Sequence, residues 1–472
     1  MRFSVDPDVR RLDGGRLLLG GSPLRLFRMT EGGARLLDRV ASGADVEARP
    51  GEARLLNALI DAGVVNLRPE QGPWSAAEVT LVVPVRDRPD GLAALLASVG
   101  AARPGSRPAA VVVVDDGSLD PVAHRRVAEA AGASYVRRER SGGPGVARDD
   151  AIRRAATELV AVLDSDCTVA DDWLERLLPQ FTDERVAAVA ARVRPEPGRG
   201  LLARYEAHRS PLDLGPRAGP VVAGTRLSYV PAAGVVLRRD AYLEVGGFDP
   251  QLRVGEDVDL VWRLAGAGWR VRYEPSAEVR HQVRGSARAW LAQRLTYGTS
   301  AALLDERHPG AVAPVRCSPW SAAAWGAAAA GHPVVGAAVV AGTTAALPQR
   351  LEQLPTRESV RLALVGHLGA GRLLAGAVTR AWWPVLVAAA PWSRSARRTL
   401  GLSAAAVVAD AWRAAGGSAA RVGMDPVRFA ALTLADDAAY GAGVWVGCAR
   451  RRSLRALRPR LTNWPSSQPS GA

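Results

Sequence analysis

The chain of 472 residues contains no lysine: all 61 basic residues are arginine, set against 47 acidic ones for a formal net charge of +14. Cysteine is nearly absent too. Cys167, Cys317 and Cys448 lie far apart, in no CxxC or zinc-ligand spacing, which argues against a disulfide-stapled secreted fold and against a structural zinc site. Aromatics make up only 5% and do not interleave with the basic clusters, so no nucleic-acid partner is expected. No charged segment followed by an apolar one opens the chain, so no signal peptide is expected and the N-terminus should begin in the cytoplasm. No repeat of fixed period is visible. Apolar residues are what the chain has in quantity. At 48% they suffice for a sizeable core, excluding a wholly disordered protein, and the length suits two or three domains of ~100–200 residues each. A basic surplus suits a phosphorylated ligand or an anionic lipid surface.

Texture divides the chain into four parts. Residues 1–73 are short and mixed and end in a loop-like Arg68-Pro69-Glu70-Gln71-Gly72-Pro73; helical spacing at Glu31 to Val40 and Ala53 to Ala62, the latter stopped by Gly63, predicts a small winged-helix-like domain. Residues 78–300 alternate β-branched runs with amphipathic stretches, residues 317–460 are dominated by Ala, Val, Leu, Gly and Trp, and residues 461–472 read as a disordered tail.

The second part reads as α/β. Strands are predicted at 79–85, 111–114, 134–136 and 159–163, with helices over 91–99, 121–131 and from the glycine turn at Ser141–Gly145 through Ala156. Continuous apolar strands alternating with helices imply a mostly parallel, Rossmann-like sheet covered on both faces. In such sheets ligands sit beyond the carboxyl ends of the strands, so the polar residues there are the ones to read for chemistry.

Asp115 and Asp116 follow four valines and precede Gly117-Ser118. They are either a turn-forming pair or acceptors for a nucleotide base or ribose. Asp164 and Asp166 close the strand 159–163. In extended chain residues i and i+2 share a face, so both carboxylates would point the same way, a repulsion relieved by a cation between them. Carboxylate oxygens suit Mg²⁺ or Mn²⁺, which complete their shells with phosphate oxygens; the alternative is a strand-to-helix cap. The turn Gly142-Gly143-Pro144-Gly145 would expose backbone N–H groups, and Arg148 beyond it could take a phosphate or stack on a base. Glu256 and Asp257 start a helix that continues amphipathically from Val261 to Ala267, a position that favours ionised carboxylates, as simple helix-start residues or with one as general base toward an incoming hydroxyl. His281, at the end of a strand beginning near Trp269, would rejoin the same edge as a metal or diphosphate contact, or be structural.

Taken in order, Val83-Pro84-Val85-Arg86-Asp87, Asp115-Asp116-Gly117-Ser118, Gly145 to Ala151, Asp164-Ser165-Asp166, Gly246-Gly247-Phe248-Asp249 and Gly255 to Leu260 resemble an inverting family-2 glycosyltransferase of GT-A fold over roughly residues 78–285. The resemblance implies that Pro84, Val85, Arg86, Asp115, Asp116 and Arg148 line the nucleotide pocket and that Asp164 touches ribose or metal. It further implies that Asp166 holds a divalent ion on the sugar-nucleotide diphosphate, where His281 read from its strand end would join it, and that Asp257, or Glu256 beside it, deprotonates the acceptor hydroxyl. Asp149 stands where the family often has Asn. The segments Leu18 to Leu26 and Leu55 to Pro69 further resemble the small domain that precedes the catalytic part of mycofactocin-associated glycosyltransferases, itself similar to peptide-binding modules of ribosomal-peptide maturation. That resemblance implies a peptide-derived redox cofactor or its precursor as acceptor, UDP-glucose as donor, and a β-linked oligosaccharide as product. Rival readings are a glycosyltransferase for cell-envelope polysaccharide or lipid, a nucleotidyltransferase, and a non-catalytic peptide-binding membrane scaffold. A nucleotidyltransferase would usually carry a glycine-rich basic loop after the first strand, where Val85 leads instead to Arg86-Asp87-Arg88-Pro89.

No charged residue occurs from Cys317 to Gln349, and Trp320 to Leu347 is long enough for a ~30 Å hydrocarbon core, though His332-Pro333 interrupts it and a buried helical hairpin in a soluble domain is the alternative. Leu362 to Trp392 is broken by Arg372 and Arg380, and Val427 to Ala449 carries Asp436-Asp437, which makes unaided spanning costly. With the basic cluster Arg450 to Arg460, this region is expected to associate with membrane lipids on the cytoplasmic face of the cell membrane, with the catalytic domain on that side.

Overall fold

The computed structural model describes residues 2–462; residues 463–472, most of the expected tail, lie outside the described part. The chain forms two compact units, one made of the chain up to Gly198 together with Ser210–Val283, the other of Arg199–Arg209 and the chain from Arg284 onward.

The first unit opens with β1 (Phe3–Val5), β2 (Arg10–Leu12), β3 (Leu17–Gly20) and β4 (Arg25–Arg28), helices Glu31–Ala41 and Pro50–Asp61, and β5 (Val65–Leu67). Strands β2, β3 and β4 form an antiparallel meander and β1 pairs with β5. The Thr30 hydroxyl accepts from the Gly33 N–H to cap the first helix, and Leu36, Leu37, Val40, Leu56, Leu59 and Ile60 meet Leu18 and Val64 in a local core. Both helices lie where the 3.6-residue spacing placed them. This small domain is bound to the larger sheet by Arg270, whose buried guanidinium pairs with Asp61 (2.7 Å) and Asp183 (2.5 Å).

The larger sheet has nine strands, β6 (Val79–Val85), β7 (Ala110–Asp115), β8 (Ser134–Arg137), β9 (Leu159–Leu163), β10 (Cys167–Val169), β11 (Val186–Pro195), β12 (Gly219–Pro220), β13 (Gly234–Arg238) and β14 (Arg270–His281). Their order is β10-β14-β11-β13-β9-β6-β7-β8, with β12 on β14. Strands β6 to β9, β11 and β14 run one way, while β10, β12 and β13 run antiparallel to their neighbours. The sheet is therefore mixed and mostly parallel. β6 and β9 are buried along their whole length, which is why they read as unbroken apolar runs. Leu92, Leu95, Leu96 and Val99 of helix Pro89–Ala101 and Trp173, Leu174 and Leu177 pack with β6 and β9 in one core. The three cysteines are free and buried.

The second unit is helical and begins earlier than the expected boundary at 300. Helix Ala287–Thr299 lies against the long helix Pro426–Arg451 with no room for side chains at Gly298, Gly443 and Gly447, where an added Cβ would strike the facing backbone. The stretch Trp320 to Leu347, long enough for one crossing but interrupted at His332-Pro333, is folded back at Gly331 (φ +100°) into helices Pro319–Ala330 and Pro333–Arg350, the helical hairpin of the two readings. Among the described residues the one helix long and apolar enough to cross a membrane is Thr356–Ala389, mean hydropathy 1.4. Its Arg372 lies 3.5 Å from Asp410, and its Arg380 lies 3.8 Å from Asp437 and stacks on Tyr440. Asp436 and Asp437, the residues that make spanning costly for the last helix, are buried and satisfied. Asp436 accepts from Arg294 (2.8 Å) and the Tyr205 hydroxyl (3.2 Å), and Asp437 accepts from Arg209 (2.9 Å) and the Thr379 hydroxyl (2.7 Å).

Candidate active site

The parallel ladders bring the carboxyl ends of β6, β7 and β9 to one edge of the sheet, and with them the loops that begin at Arg86, Asp116 and Asp164. β11 and β14 run the same way and deliver His281. β10 then pairs antiparallel with β14 in a register that sets Cys167 opposite His281, so the imidazole Nε2 comes within 3.4 Å of Asp166.

Asp164 and Asp166 do not form the extended pair expected of them. The Cys167 N–H donates to the Asp164 carbonyl (3.0 Å), closing a turn, and each carboxylate finds its own cation. The shared-face argument needs extended backbone, and the chain has to reverse here to start β10. Asp164 pairs with Arg148, and Asp166 with Arg88 and His281.

Arg148 is the hub. It is buried, donates to Glu256 (2.7 Å) and Asp164, and lies over the Phe248 ring at 5.7 Å. Both ends of the guanidinium that the resemblance assigns to the nucleotide pocket are held by carboxylates, and its Nε is buried without a partner. Gly145, one turn earlier on helix Pro144–Arg154, lets that helix approach Glu256, whose Cγ would sit 3.1 Å from an added Cβ. Burial outweighs everything else at Glu256: with help from the neighbouring Asp257 charge, and against Arg148, it pushes the carboxyl up to about 7. Burial also raises Asp257, again against the pull of Arg148. Asp257 accepts from the Ala232 N–H (3.3 Å) and the Val258 N–H (2.8 Å) at the start of helix Glu256–Gly266, with Gly255 in the left-handed region (φ +78°) before it.

The acids after β7 have structural partners. Asp115 is fully buried; burial pushes its carboxyl up, but hydrogen bonds from the Tyr135 hydroxyl (2.5 Å) and Ser118 (2.7 Å) prevail and hold it below the usual range. Asp116 accepts from Ser141 Oγ (2.7 Å), Gly142 N–H (2.9 Å), Gly143 N–H (2.8 Å) and Arg138 Nε (3.0 Å). The N–H groups expected to be free for phosphate are thus spent on Asp116. Pro84 and Val85 are buried within β6, and the Val85 carbonyl accepts from the Asp116 N–H (2.9 Å), so Arg86 alone of that trio offers an exposed side chain, 3.1 Å from Ser141 Oγ. Asp149 accepts from the Tyr242 hydroxyl (2.5 Å) and Arg153 (2.7 Å), bracing the Gly246-Gly247 turn rather than facing the site.

Arg88 and Phe248 carry no role in the sequence reading. Arg88 follows β6 in the loop of Arg86, where the strand-end rule points to it; Phe248 sits inside Gly246-Gly247-Phe248-Asp249, and only the tertiary contact reveals it as the floor under Arg148.

Among the described residues no three His, Cys, Asp or Glu side chains converge as a complete metal site. The residues nonetheless fit a divalent ion. Asp166 and His281 offer an oxygen and a nitrogen side by side, and the Arg88 guanidinium already holds a positive charge against Asp166. Such a pair leaves the remaining positions to water and diphosphate oxygens.

A mostly parallel α/β sheet whose strand ends gather acidic residues beside a helix-start acid pair has the GT-A fold of nucleotide-sugar glycosyltransferases. The sequence model for Glycosyl transferase family 2 matches residues 80–246. A "Pre-mycofactocin glycosyltransferase" of Mycobacterium tuberculosis is 39% identical over 466 residues, covering 97% of both chains. "Succinoglycan biosynthesis protein ExoU" of Rhizobium meliloti is 31% identical over 44% of this chain and 63% of its own. Among solved structures, a mannosyltransferase from Pyrobaculum calidifontis in complex with GDP-Man and Mn²⁺ is 24% identical, with a TM-score of 0.40 over 64% of this chain and 90% of that one. The chain belongs to the pre-mycofactocin glycosyltransferases, within glycosyl transferase family 2.

Proposed function

We propose that this glycosyltransferase of mycofactocin biosynthesis transfers glucose from UDP-glucose to the peptide-derived cofactor or its precursor, with inversion at the anomeric carbon, building a β-linked oligosaccharide. The observation that carries the reading is the continuous chain Asp164, Arg148, Glu256 and Asp257, which joins the donor-side strand end to the helix-start acids. Asp166 and His281 would hold a Mg²⁺ or Mn²⁺, which when bound neutralises charge on the leaving diphosphate. Arg88, released from Asp166, is within the same loop as Arg86, and both are cations suited to the diphosphate. Asp257 takes the proton of the acceptor hydroxyl. Its raised affinity for protons makes it a stronger base than an exposed aspartate, and Glu256, held on Arg148, fixes the helix start from which it projects. The apolar second unit and its arginines support a place at the cytoplasmic face of the cell membrane, with the small N-terminal domain presenting the acceptor peptide.

The test is a panel of sugar nucleotides with Mg²⁺ or Mn²⁺, following nucleoside diphosphate release with and without pre-mycofactocin. UDP-glucose should be turned over only with acceptor, and anomeric NMR of the product should show the β configuration. Turnover of another donor alone, or an α product, would overturn the reading.

A further inference from the structure

The second unit ends, on one side, in two neighbouring helical turns. Helices Pro319–Ala330 and Pro333–Arg350 reverse at Gly331-His332, and Trp383–Ala389 reverses through Pro391-Trp392 into helix Arg394–Ala414. The two turns are in contact: the Arg398 guanidinium lies so close to Gly331 that an added Cβ would sit 2.6 Å from its Nη1. Trp392 in the second turn is 86% exposed, and Val385 and Val387 on the helix before it are exposed; Val334, 80% exposed, and Val335 open the helix that leaves the first turn. An unburied tryptophan in one turn and four unburied valines on the helices that enter and leave the two turns are more exposed apolar side chains than a water-facing protein usually keeps at two touching turns.

The charge around it has one sign. Arg394, Arg397 and Arg398 flank Trp392, and no acidic residue occurs from Cys317 to Gln349 or from Ala381 to Ala409. Arg397 also donates to the Ala390 carbonyl (2.5 Å), which fixes the turn that carries Trp392. Length decides how deep such a tip can go. At 1.5 Å per residue the uncharged arms reach only about 18 Å (Pro319–Ala330), about 25 Å (Pro333 to Gln349) and about 20 Å (between Arg380 and Arg394), all short of a ~30 Å hydrocarbon core. Arg372 and Arg380 further along are tied to Asp410 and Asp437, polar pairs that are costly at mid-bilayer.

We infer that this double-turn tip is a lipid-docking surface: Trp392, Val334 and Val335 enter one leaflet of an anionic bilayer and Arg394 and Arg398 bind its headgroups, without crossing it. The inference rests on the proposed membrane association and names its contact. Tryptophan favours the interface between headgroups and acyl chains, and basic residues beside it add attraction to anionic lipid.

The native cysteines are buried, so a Trp392→Cys variant of the full chain accepts a polarity-sensitive fluorophore at the tip alone. With phosphatidylglycerol-containing vesicles the label should shift to the blue and be quenched by brominated acyl chains. Wild-type chain should co-sediment with these vesicles much more than with phosphatidylcholine alone. Arg394→Gln and Arg398→Gln should each weaken partitioning about five-fold, and Val334→Asp about ten-fold or more, with unchanged circular dichroism. Vesicle binding with no response at position 392 would overturn the tip while leaving membrane association standing; no binding by the wild-type chain would overturn both. A solution dimer that Trp392→Ser converts to monomer would make the patch a self-interface and sink the lipid assignment.

Discussion

Asp257, Glu256 and Arg148 show how burial changes the proton affinity of ordinary residues. Two adjacent carboxyls at a helix start, taken out of water, both bind protons more tightly than usual, and the Arg148 cation keeps that shift in check. Because the base must be ionised to accept the hydroxyl proton, kcat should fall as pH drops through the raised titration of this pair, giving an acid limb above the usual carboxylate range in a pH–rate profile. Arg148→Met removes the cation and should move that limb to higher pH; an unmoved limb would mean the pair does not set it. Asp257→Asn should lower kcat by about 10²–10⁴ while leaving UDP-glucose affinity, measured by calorimetry, nearly unchanged. Asp166→Ala should instead weaken metal-dependent donor binding. Both pairs, 164/166 and 256/257, were legible in the sequence as acids at element ends. Which cation each carboxylate meets was not, since Arg148 joins Asp164 and Glu256 across 16 and 108 residues of chain.

The connecting elements are held by close backbone approaches. Gly247 sits at φ +76°, and an added Cβ would lie 2.4 Å from Asp149 Oδ1 and 2.9 Å from the Tyr242 hydroxyl. Gly247→Ala should therefore cost roughly 1–3 kcal/mol in chemical denaturation, and it should loosen the Gly246–Asp249 turn that carries Phe248 under Arg148. In the helical unit Gly443→Ala would push helix Pro426–Arg451 off the backbone of Leu295, with an expected loss of about 1–3 kcal/mol. Helix and strand positions followed apolar periodicity closely, as with Val79–Val85 and Leu159–Leu163. The run Trp320 to Leu347 left a single crossing and a helical hairpin both open, because apolar composition records burial and not the direction the chain takes past His332-Pro333.

Across the first unit, the small N-terminal domain is clamped to β14 through Arg270, which is buried between Asp61 and Asp183. Arg270→Ala takes the cation away from the partly buried Asp183 carboxylate, which keeps the Arg185 N–H (3.0 Å); with Asp61 partly in water the expected cost is roughly 1–3 kcal/mol, read from the shift of the urea midpoint. If the small domain presents the acceptor, the same change should raise KM for pre-mycofactocin more than for UDP-glucose. The spacing of side chains along the chain was enough to announce an α/β sheet with acidic strand ends and an acid pair at a helix start, and motif order added the resemblance to a glycosyltransferase, because apolar period and motif order are local properties. Which carboxylate meets which cation, that Asp116 consumes the glycine-turn N–H groups, and where the apolar third folds back on itself depended on the packed molecule, because pairing energies and desolvation exist only between groups that folding brings together.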